Sequence, residues 1–301
     1  MEKFRLIPLL TAAVMGCTAL LAGCGKGSDS SSSKAEEGAK TSDDGSINKD
    51  LTATELARLL GNGTNLGNTM EAYGHKSYSA DTDPESFETF WGQPVTTEEM
   101  IKGMKASGFD SLRVPVAWTN AMEYEKGDYT INEAYLDRVE EIINYALDND
   151  MYVIINDHWD GSWWGMFGSS EQSDVDKAFE MYKSMWTQIA NRYKKYSDRL
   201  IFEGANEELG DRLNDTDVCK NSGSLSKAEC YEMANKINQT FVDTVRATGG
   251  NNEQRFLLIA GYNTDITMTC SDKFQMPTDT AKDKLCLLYT SDAADDRISV
   301  D

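Results

Sequence analysis

Basic residues are scarce in this chain of 301 residues. Lys and Arg number 29 against 50 Asp and Glu, giving a formal net charge of -21 and a pI near 4.5. Phosphate binding needs a basic face, so nucleic acid is excluded as an expected partner. Docking on anionic lipid by charge is disfavoured for the same reason. The balance suits a neutral or cationic ligand and a self-repelling surface. Histidine is limited to two residues, and the six cysteines contain no C-x-x-C pair, which argues against a zinc knuckle. No G-x-G-x-x-G turn and no Walker sequence occurs, so the phosphate sites of nucleotide-binding folds are not expected. The apolar stretch Leu6–Leu21 is too short and too well flanked for a membrane span.

What the N-terminus does contain is a targeting pattern. Lys3 and Arg5 precede the apolar stretch, and Leu21-Ala22-Gly23-Cys24 closes it. A small-residue run ending in Cys resembles the lipobox of bacterial lipoproteins. Residues 1–23 are therefore expected to be a signal peptide and Cys24 the lipid acceptor, with the protein anchored to a membrane outside the cytoplasm. Residues 24–50 are rich in Ser, Gly, Lys, Glu and Asp and nearly devoid of apolar side chains. Such a segment cannot bury enough surface to offset its ordering entropy, and a flexible linker is expected. Of the remaining cysteines, Cys219 and Cys230 flank a polar loop. A disulfide there and free thiols are both open, with Cys270 and Cys286 equally unassigned.

From Leu51 on, a short apolar strand followed by a polar loop and an amphipathic helix recurs. Strands are predicted at Gly63–Leu66, Ser111–Val116, Tyr152–Asn156, Leu200–Gly204 and Phe256–Ile259, roughly forty to fifty residues apart, which suits a barrel with decorated loops. Helices are predicted at Thr97–Ser107, Asn132–Asp148, Phe179–Tyr196 and from a capping box at Ser226 to Val245. Strict alternation of strand and helix means a parallel sheet. The expected class is α/β, a (β/α)8 TIM barrel of which five to six units are present over residues 51–285.

A barrel places its functional side chains at the carboxyl ends of its strands. The first strand ends in Asn65-Leu66-Gly67-Asn68. The second carries Arg113 inside an apolar run, where it needs a carboxylate partner. The third ends Asn156-Asp157-His158-Trp159-Asp160, the fourth Asn206-Glu207, and the fifth Gly261-Tyr262-Asn263. Each alone has a bland reading: an ion pair, a core His, a Glu capping the next helix. Arg, His, Asn and Glu at one end of consecutive strands point instead to a site.

At these residues the chain resembles family five of the glycoside hydrolases, within the large clan of retaining (β/α)8 glycosidases. The likeness is carried by Asn65-Leu-Gly-Asn-Thr-Met-Glu-Ala72, Trp91-Gly-Gln-Pro-Val-Thr-Thr97, Arg113-Val-Pro-Val-Ala-Trp118, His158-Trp-Asp-Gly161 and Phe202-Glu-Gly-Ala-Asn-Glu207. It looks like a bacterial cellulase cleaving internal β-1,4 bonds. Mannan, xyloglucan and mixed-linkage glucan remain open as substrates, and so does a non-catalytic carbohydrate-binding lipoprotein. By resemblance, Glu207 is the general acid/base and Asn206 the partner of the sugar 2-hydroxyl. Arg113 would hold the nucleophilic carboxylate, and His158 would line the subsite at the cleaved bond. Asn68, Trp118, Trp159 and Trp164 are the substrate-binding candidates, with core packing as the alternative for the tryptophans. His75 has no match; it reads as a loop residue whose functional alternative is a sugar subsite. The implied partner is a β-glucan, bound by a monomer. No metal or cofactor is implied, because the chemistry needs only carboxylates.

The pattern then breaks. A retaining glycosidase needs a second carboxylate about 5 Å from the first. The family's nucleophile follows a His-Tyr pair, and neither is present. Glu203 and Glu208 are expected to point elsewhere, and Asp160 to sit in a loop. Residues 286–301 change character and are expected to be a non-native tail on a truncated, weakly active or inactive fragment.

Overall fold

The computed structural model describes residues 41–289 apart from 159, 161, 162, 216–222 and 224. The expected signal segment, the lipid acceptor Cys24, Trp159, Cys219 and residues 290–301 of the expected tail lie outside the described residues.

Six parallel strands form one sheet in chain order: β1 (Gly63–Asn65), β2 (Ser111–Val114), β3 (Tyr152–Asn156), β4 (Leu200–Glu203), β5 (Leu257–Ala260) and β6 (Leu285–Leu288). Each strand is added beside its predecessor, without the reversal of a doubly wound sheet. This is the order of an incomplete (β/α)8 barrel, with β1 and β6 each paired on one side among the described residues. The helices are α1 (Ala53–Leu59), α2 (Pro84–Phe90), α3 (Glu98–Ala106), α4 (Glu133–Leu147), α5 (Gln172–Tyr193), α6 (Lys227–Ala247) and the single turn α7 (Ile266–Thr269).

Side-chain alternation along the strands separates two apolar layers. Leu112, Val114, Val153, Ile155, Leu200, Phe202, Leu257 and Ile259 are buried in the main core with α4, α5 and α6. Ile154, Ile201 and Leu258 point the other way and pack with Phe256 and with Leu56 of α1. The starts of α4 and α6 match their capping residues, whereas α5 starts at Gln172, seven residues before the expected Phe179, without a side-chain cap. Asn132 Oδ1 accepts from Ala134 N (2.8 Å), and Ser226 forms a capping box with Glu229.

Strand ends shift by one or two residues from expectation, for local reasons. β2 stops at Val114 because Pro115 has no N–H to donate to a ladder. β4 stops at Glu203, and the chain turns out through Gly204, where a Cβ would stand 2.8 Å from the Phe241 ring. β6 runs to Leu288, paired with β5 from Leu257 to Ala260, so the expected boundary at 285 falls at the first residue of a strand. Cys230, buried, Cys270, exposed, and Cys286, half-buried, are all free thiols.

The linker boundary is corrected more substantially. Residues 41–50 are docked on the body by polar contacts. Ser42 N donates to Asp148 Oδ1 (2.7 Å), and Asn48 N to Asp198 Oδ2 (2.8 Å). Asp43 accepts from Ser197 N (2.8 Å) and Oγ (2.6 Å). Lys284 Nζ donates to the carbonyls of Asn48 (2.8 Å) and Leu51 (2.6 Å). Low apolar content therefore did not imply a tether here, because carboxylates and backbone groups supply the attachment. Asp43→Ala is expected to lower the free energy of unfolding by about 1–2 kcal/mol, since a buried N–H of Ser197 loses its acceptor. Urea titration measures this, and an unchanged midpoint would show that the segment adds nothing to stability.

Candidate active site

The centre of the barrel mouth is a charged network. Arg113, projecting from β2, donates through Nε to Glu203 Oε2 (2.7 Å) and through Nη2 to Glu203 Oε1 (2.5 Å). The same Nη2 reaches Asn206 Oδ1 (2.8 Å), and Nη1 reaches Asn65 Oδ1 (3.3 Å). Asn156 of β3 donates a further bond to Glu203 Oε1 (3.0 Å). Four neighbouring strands are thereby joined through side chains. Burial opposes the guanidinium charge, but the Glu203 carboxylate outweighs it and holds the Arg113 pKa above its ordinary value. The carboxylate partner that Arg113 needs in its apolar run is supplied by Glu203, which is fully buried.

Above this pair lies a cavity of about 460 Å³ lined by Asn65, Asn68, Glu71, Trp91, Arg113, His158, Asn206, Glu207 and Arg212. Asn206 and Glu207 reach it because the chain leaves β4 through Gly204 and Ala205. Asn206 N is fixed by Glu208 Oε2 (2.7 Å), and Glu208 is buried beneath. Glu207 is half-buried. The structure thus brings together Asn68, Arg113, His158, Asn206 and Glu207 from four separate stretches of sequence.

His158 is held by its backbone N–H on the Val116 carbonyl (2.9 Å). Its Nδ1 lies 3.2 Å from Asn156 Nδ2, an amide nitrogen that can only donate, which assigns the neutral ring's proton to Nε2. Burial, and then the charge of Arg113, push its pKa down to about 3. A neutral donor is therefore presented to the cavity across the whole physiological range.

Three of the tryptophan assignments need revision or lie outside the described residues. Trp118 is fully buried, its Nε1 donating to the Asn156 carbonyl (2.8 Å), so it is a strut of the β2–β3 connection and not a sugar platform. Trp164 is stacked on Trp163 with ring centroids 4.4 Å apart, inside a cluster with Phe167 and Tyr182. Both indoles are apolar enough to be claimed by the core. Trp159 lies outside the described residues. The aromatic side chain that does stand in the cavity is Trp91, 42% exposed and 5.6 Å from the Tyr73 ring. Its signal in the sequence was the Trp91–Thr97 motif, quoted for likeness but not weighed as a contact surface.

Glu71 was also missed as a site residue. It is buried beside the cavity, and its carboxylate accepts from the backbone N–H of Asn68 and of Thr69 (2.8 Å). Asn68 adopts a left-handed conformation (φ 62°) to make this turn. Burial raises the Glu71 pKa against the pull of those N–H groups and of Arg113. With both oxygens engaged, Glu71 braces the β1 loop. Glu71 and Glu207 are the only carboxylates among the described lining residues. Asp160 is fully buried, accepting from Thr119 N (2.9 Å), and does not face the cavity.

The sequence model "Cellulase (glycosyl hydrolase family 5)" matches residues 75–289. A xyloglucan-specific endo-beta-1,4-glucanase of Bacteroides ovatus is 38% identical over 239 residues, 79% of this chain and 44% of that protein. Endoglucanase B of Ruminococcus albus is 35% identical over 306 residues, 94% of this chain and 68% of that protein. Among solved structures, a broad-specificity endoglucanase from Ruminococcus champanellensis with bound cellotriose superposes with a TM-score of 0.69 at 39% identity, covering 80% of this chain and 66% of that one. The chain spans about half the length of several of the curated relatives it matches.

Two outcomes follow from this geometry. Glu203→Ala removes the carboxylate that pairs the largely buried Arg113 guanidinium and is expected to cost about 3–5 kcal/mol of stability, read by denaturant titration. The depressed His158 pKa means that the unfolded chain binds the extra proton between the ordinary value of 6.5 and about 3. Stability should therefore fall as pH drops below 6.5, by about 2 kcal/mol at pH 5 from this residue. His158→Asn should flatten that part of the pH–stability curve, and an unaltered slope would refute the assignment.

Proposed function

The chain belongs to glycosyl hydrolase family 5, and from that premise we propose that it carries the acid/base half of a retaining hydrolase for β-1,4-linked glucans. The observation that carries this reading is Asn206-Glu207 set at the end of β4 in one cavity with Arg113, His158 and the exposed face of Trp91. Glu207 protonates the glycosidic oxygen as the bond breaks and later takes a proton from the incoming water. Asn206, whose Oδ1 is held by Arg113, offers its amide nitrogen to the sugar 2-hydroxyl, where a hydrogen bond strengthens as positive charge grows at the anomeric carbon. Neutral His158 donates from Nε2 without adding charge. Trp91 supplies an apolar face to a glucose ring.

Retention requires a second carboxylate roughly 5 Å from the first. Glu71 is occupied by the backbone of Asn68 and Thr69, so no described residue is assigned as nucleophile, and turnover by this chain alone is expected to be weak. Internal cleavage of cellulose or a related β-glucan is the favoured specificity, given relatives named as endoglucanases and as a xyloglucan-specific endo-beta-1,4-glucanase. Placement outside the cytoplasm on a lipid at Cys24 belongs to the same proposal and follows from the Leu21–Cys24 sequence.

The test pairs binding with turnover. Calorimetry with cellotriose, and reducing-end release from cellulose, xyloglucan and mannan, are measured for the chain and for Glu207→Gln. Expected are unchanged cellotriose binding and a loss of any β-glucan turnover by about 10²–10⁴-fold in the variant. Measurable turnover that is equal in both proteins, or no binding of any glucan by the unaltered chain, would overturn the reading.

A further inference from the structure

Past the end of β3 the chain carries two aspartates on either side of His158 that the site above does not use. Asp157 and Asp160 are both fully buried. Asp160 is supplied with donors: it accepts from Thr119 N (2.9 Å) and from the Thr119 hydroxyl. That contact ties the chain past β3 to the loop after β2. Asp157 is the opposite case. Neither of its oxygens meets a hydrogen-bond donor, although the Asp160 carboxyl lies within hydrogen-bond reach. The other charged group that bears on Asp157 is Glu208, also buried and also acidic. Tyr182 of α5 stands beside them, but its hydroxyl donates to the Gly204 carbonyl (2.7 Å).

Two ionised carboxylates can only accept, so they cannot bond to each other, and a buried charge without a partner is costly. One proton removes both difficulties. We propose that Asp157 and Asp160 share a single proton at neutral pH, and that the pair is a positioning device that locks the chain around His158 onto the loop after β2. The proton sits on Asp157, because the Asp160 oxygens already accept from Thr119. Asp157 then donates to Asp160, and Asp160 keeps one negative charge that Thr119 stabilises. Burial is the main cause that holds Asp157 well above the ordinary carboxylate range, and the charges of Asp160 and Glu208 add to it. Carboxyl groups this close in a buried position do not both ionise. The other titratable groups facing the pair bring no positive charge. His158 is neutral, and Tyr182 of α5, Tyr135 of α4 and Tyr124 of the loop after β2 are held un-ionised, chiefly by burial. Arg113 acts on His158 and on Glu208 but is not among the charges that bear on Asp157. The ring of His158 is thus set from two sides, by the Val116 carbonyl on its own N–H and by the closed link from Asp157 through Asp160 to Thr119. The positioning role rests on His158 belonging to the glucan site read above; the shared proton does not.

The experiment compares the full chain with Asp157→Asn and Asp157→Leu. An amide keeps a donor for Asp160 and has no proton to lose, whereas Leu offers none. In the unfolded chain Asp157 ionises near its ordinary value of 3.8, while the folded chain keeps the proton, so the folded state binds more protons above that value and the unaltered chain loses stability as pH rises. Denaturant titrations should therefore show the folding constant of Asp157→Asn gaining on that of the unaltered chain by about tenfold per pH unit from about pH 6.5 to about pH 8.5, above the range of His158. A ratio that stays level or falls over that range would overturn the shared proton. Infrared spectra of the unaltered chain, with and without carbon-13 aspartate, give a second reading that needs no variant to fold. Near neutral pH the carbonyl band of an un-ionised carboxylic acid should move with the label, and its absence would also overturn the proposal. The positioning role is read from the His158 ring resonances by NMR. They are expected in place in Asp157→Asn and displaced in Asp157→Leu. Resonances in place in both variants, or displaced equally in both, would overturn that role. No sugar enters these measurements, so their failure and that of the glucan reading are told apart.

Discussion

The mouth of this barrel depends on a single buried ion pair. Arg113 and Glu203 face each other two strands apart, and neither charge is tolerable in that position without the other. Their hydrogen bonds extend to Asn65, Asn156 and Asn206, so one guanidinium and one carboxylate determine where β1, β2, β3 and β4 present their ends. The arrangement is costly in desolvation and gains its return as geometry. Asn206 has one oxygen available to Arg113, and that bond directs its amide nitrogen outward. The main chain then carries Glu207 into the cavity next to it. A pair of apolar residues of equal volume in place of Arg113 and Glu203 would satisfy the core but leave Asn65 and Asn206 without the guanidinium that holds them.

The same pair explains the character of its neighbours. His158 sits within the field of Arg113 in a largely buried position, and both effects keep it neutral. Glu71 feels the same charge in the opposite sense, but burial dominates and its pKa is raised. Two groups that ordinarily titrate on either side of pH 5 are thus both moved by one local environment, the His towards permanent neutrality and the Glu towards protonation. The hydrogen-bonding roles of the site are held steady by burial more than by solvent, which is the condition under which preorganised donors act most strongly on a developing charge.

Much of this was legible in the sequence, and the reasons for the remainder are specific. The alternation of strand and helix read correctly because apolar runs and capping residues are local signals. Arg113 in an apolar run announced a carboxylate partner, but which carboxylate required the parallel register of β2, β3 and β4, since Glu203 lies ninety residues away. Glu203 reads from the sequence only as a carboxylate that points away from Glu207, and the structure turns it onto Arg113. Indoles gave the least reliable signal: Trp118 and Trp164 satisfy a core as well as they satisfy a sugar, and only burial separates them from Trp91. Residues 41–50 misled in the opposite direction. Their composition is that of a tether, but attachment through Asp43 and Asn48 draws on hydrogen bonds that no count of apolar residues records.

The loop from Asn65 to Tyr78 lines both the Glu207 cavity and a second cavity, of about 520 Å³, between the loops after β1 and β2. Its first half delivers Asn65, Asn68 and Glu71 to the space around Glu207, and its second half delivers Tyr73, His75 and Tyr78 to the space beyond. The hinge between the halves is the turn braced by Glu71, whose carboxylate gathers the N–H groups of Asn68 and Thr69. The buried Met70 carbonyl is held from the other side by the hydroxyl of Tyr135 (2.7 Å). Held from both sides at that point, the turn keeps Asn68 in its left-handed conformation and in the lining of the Glu207 cavity.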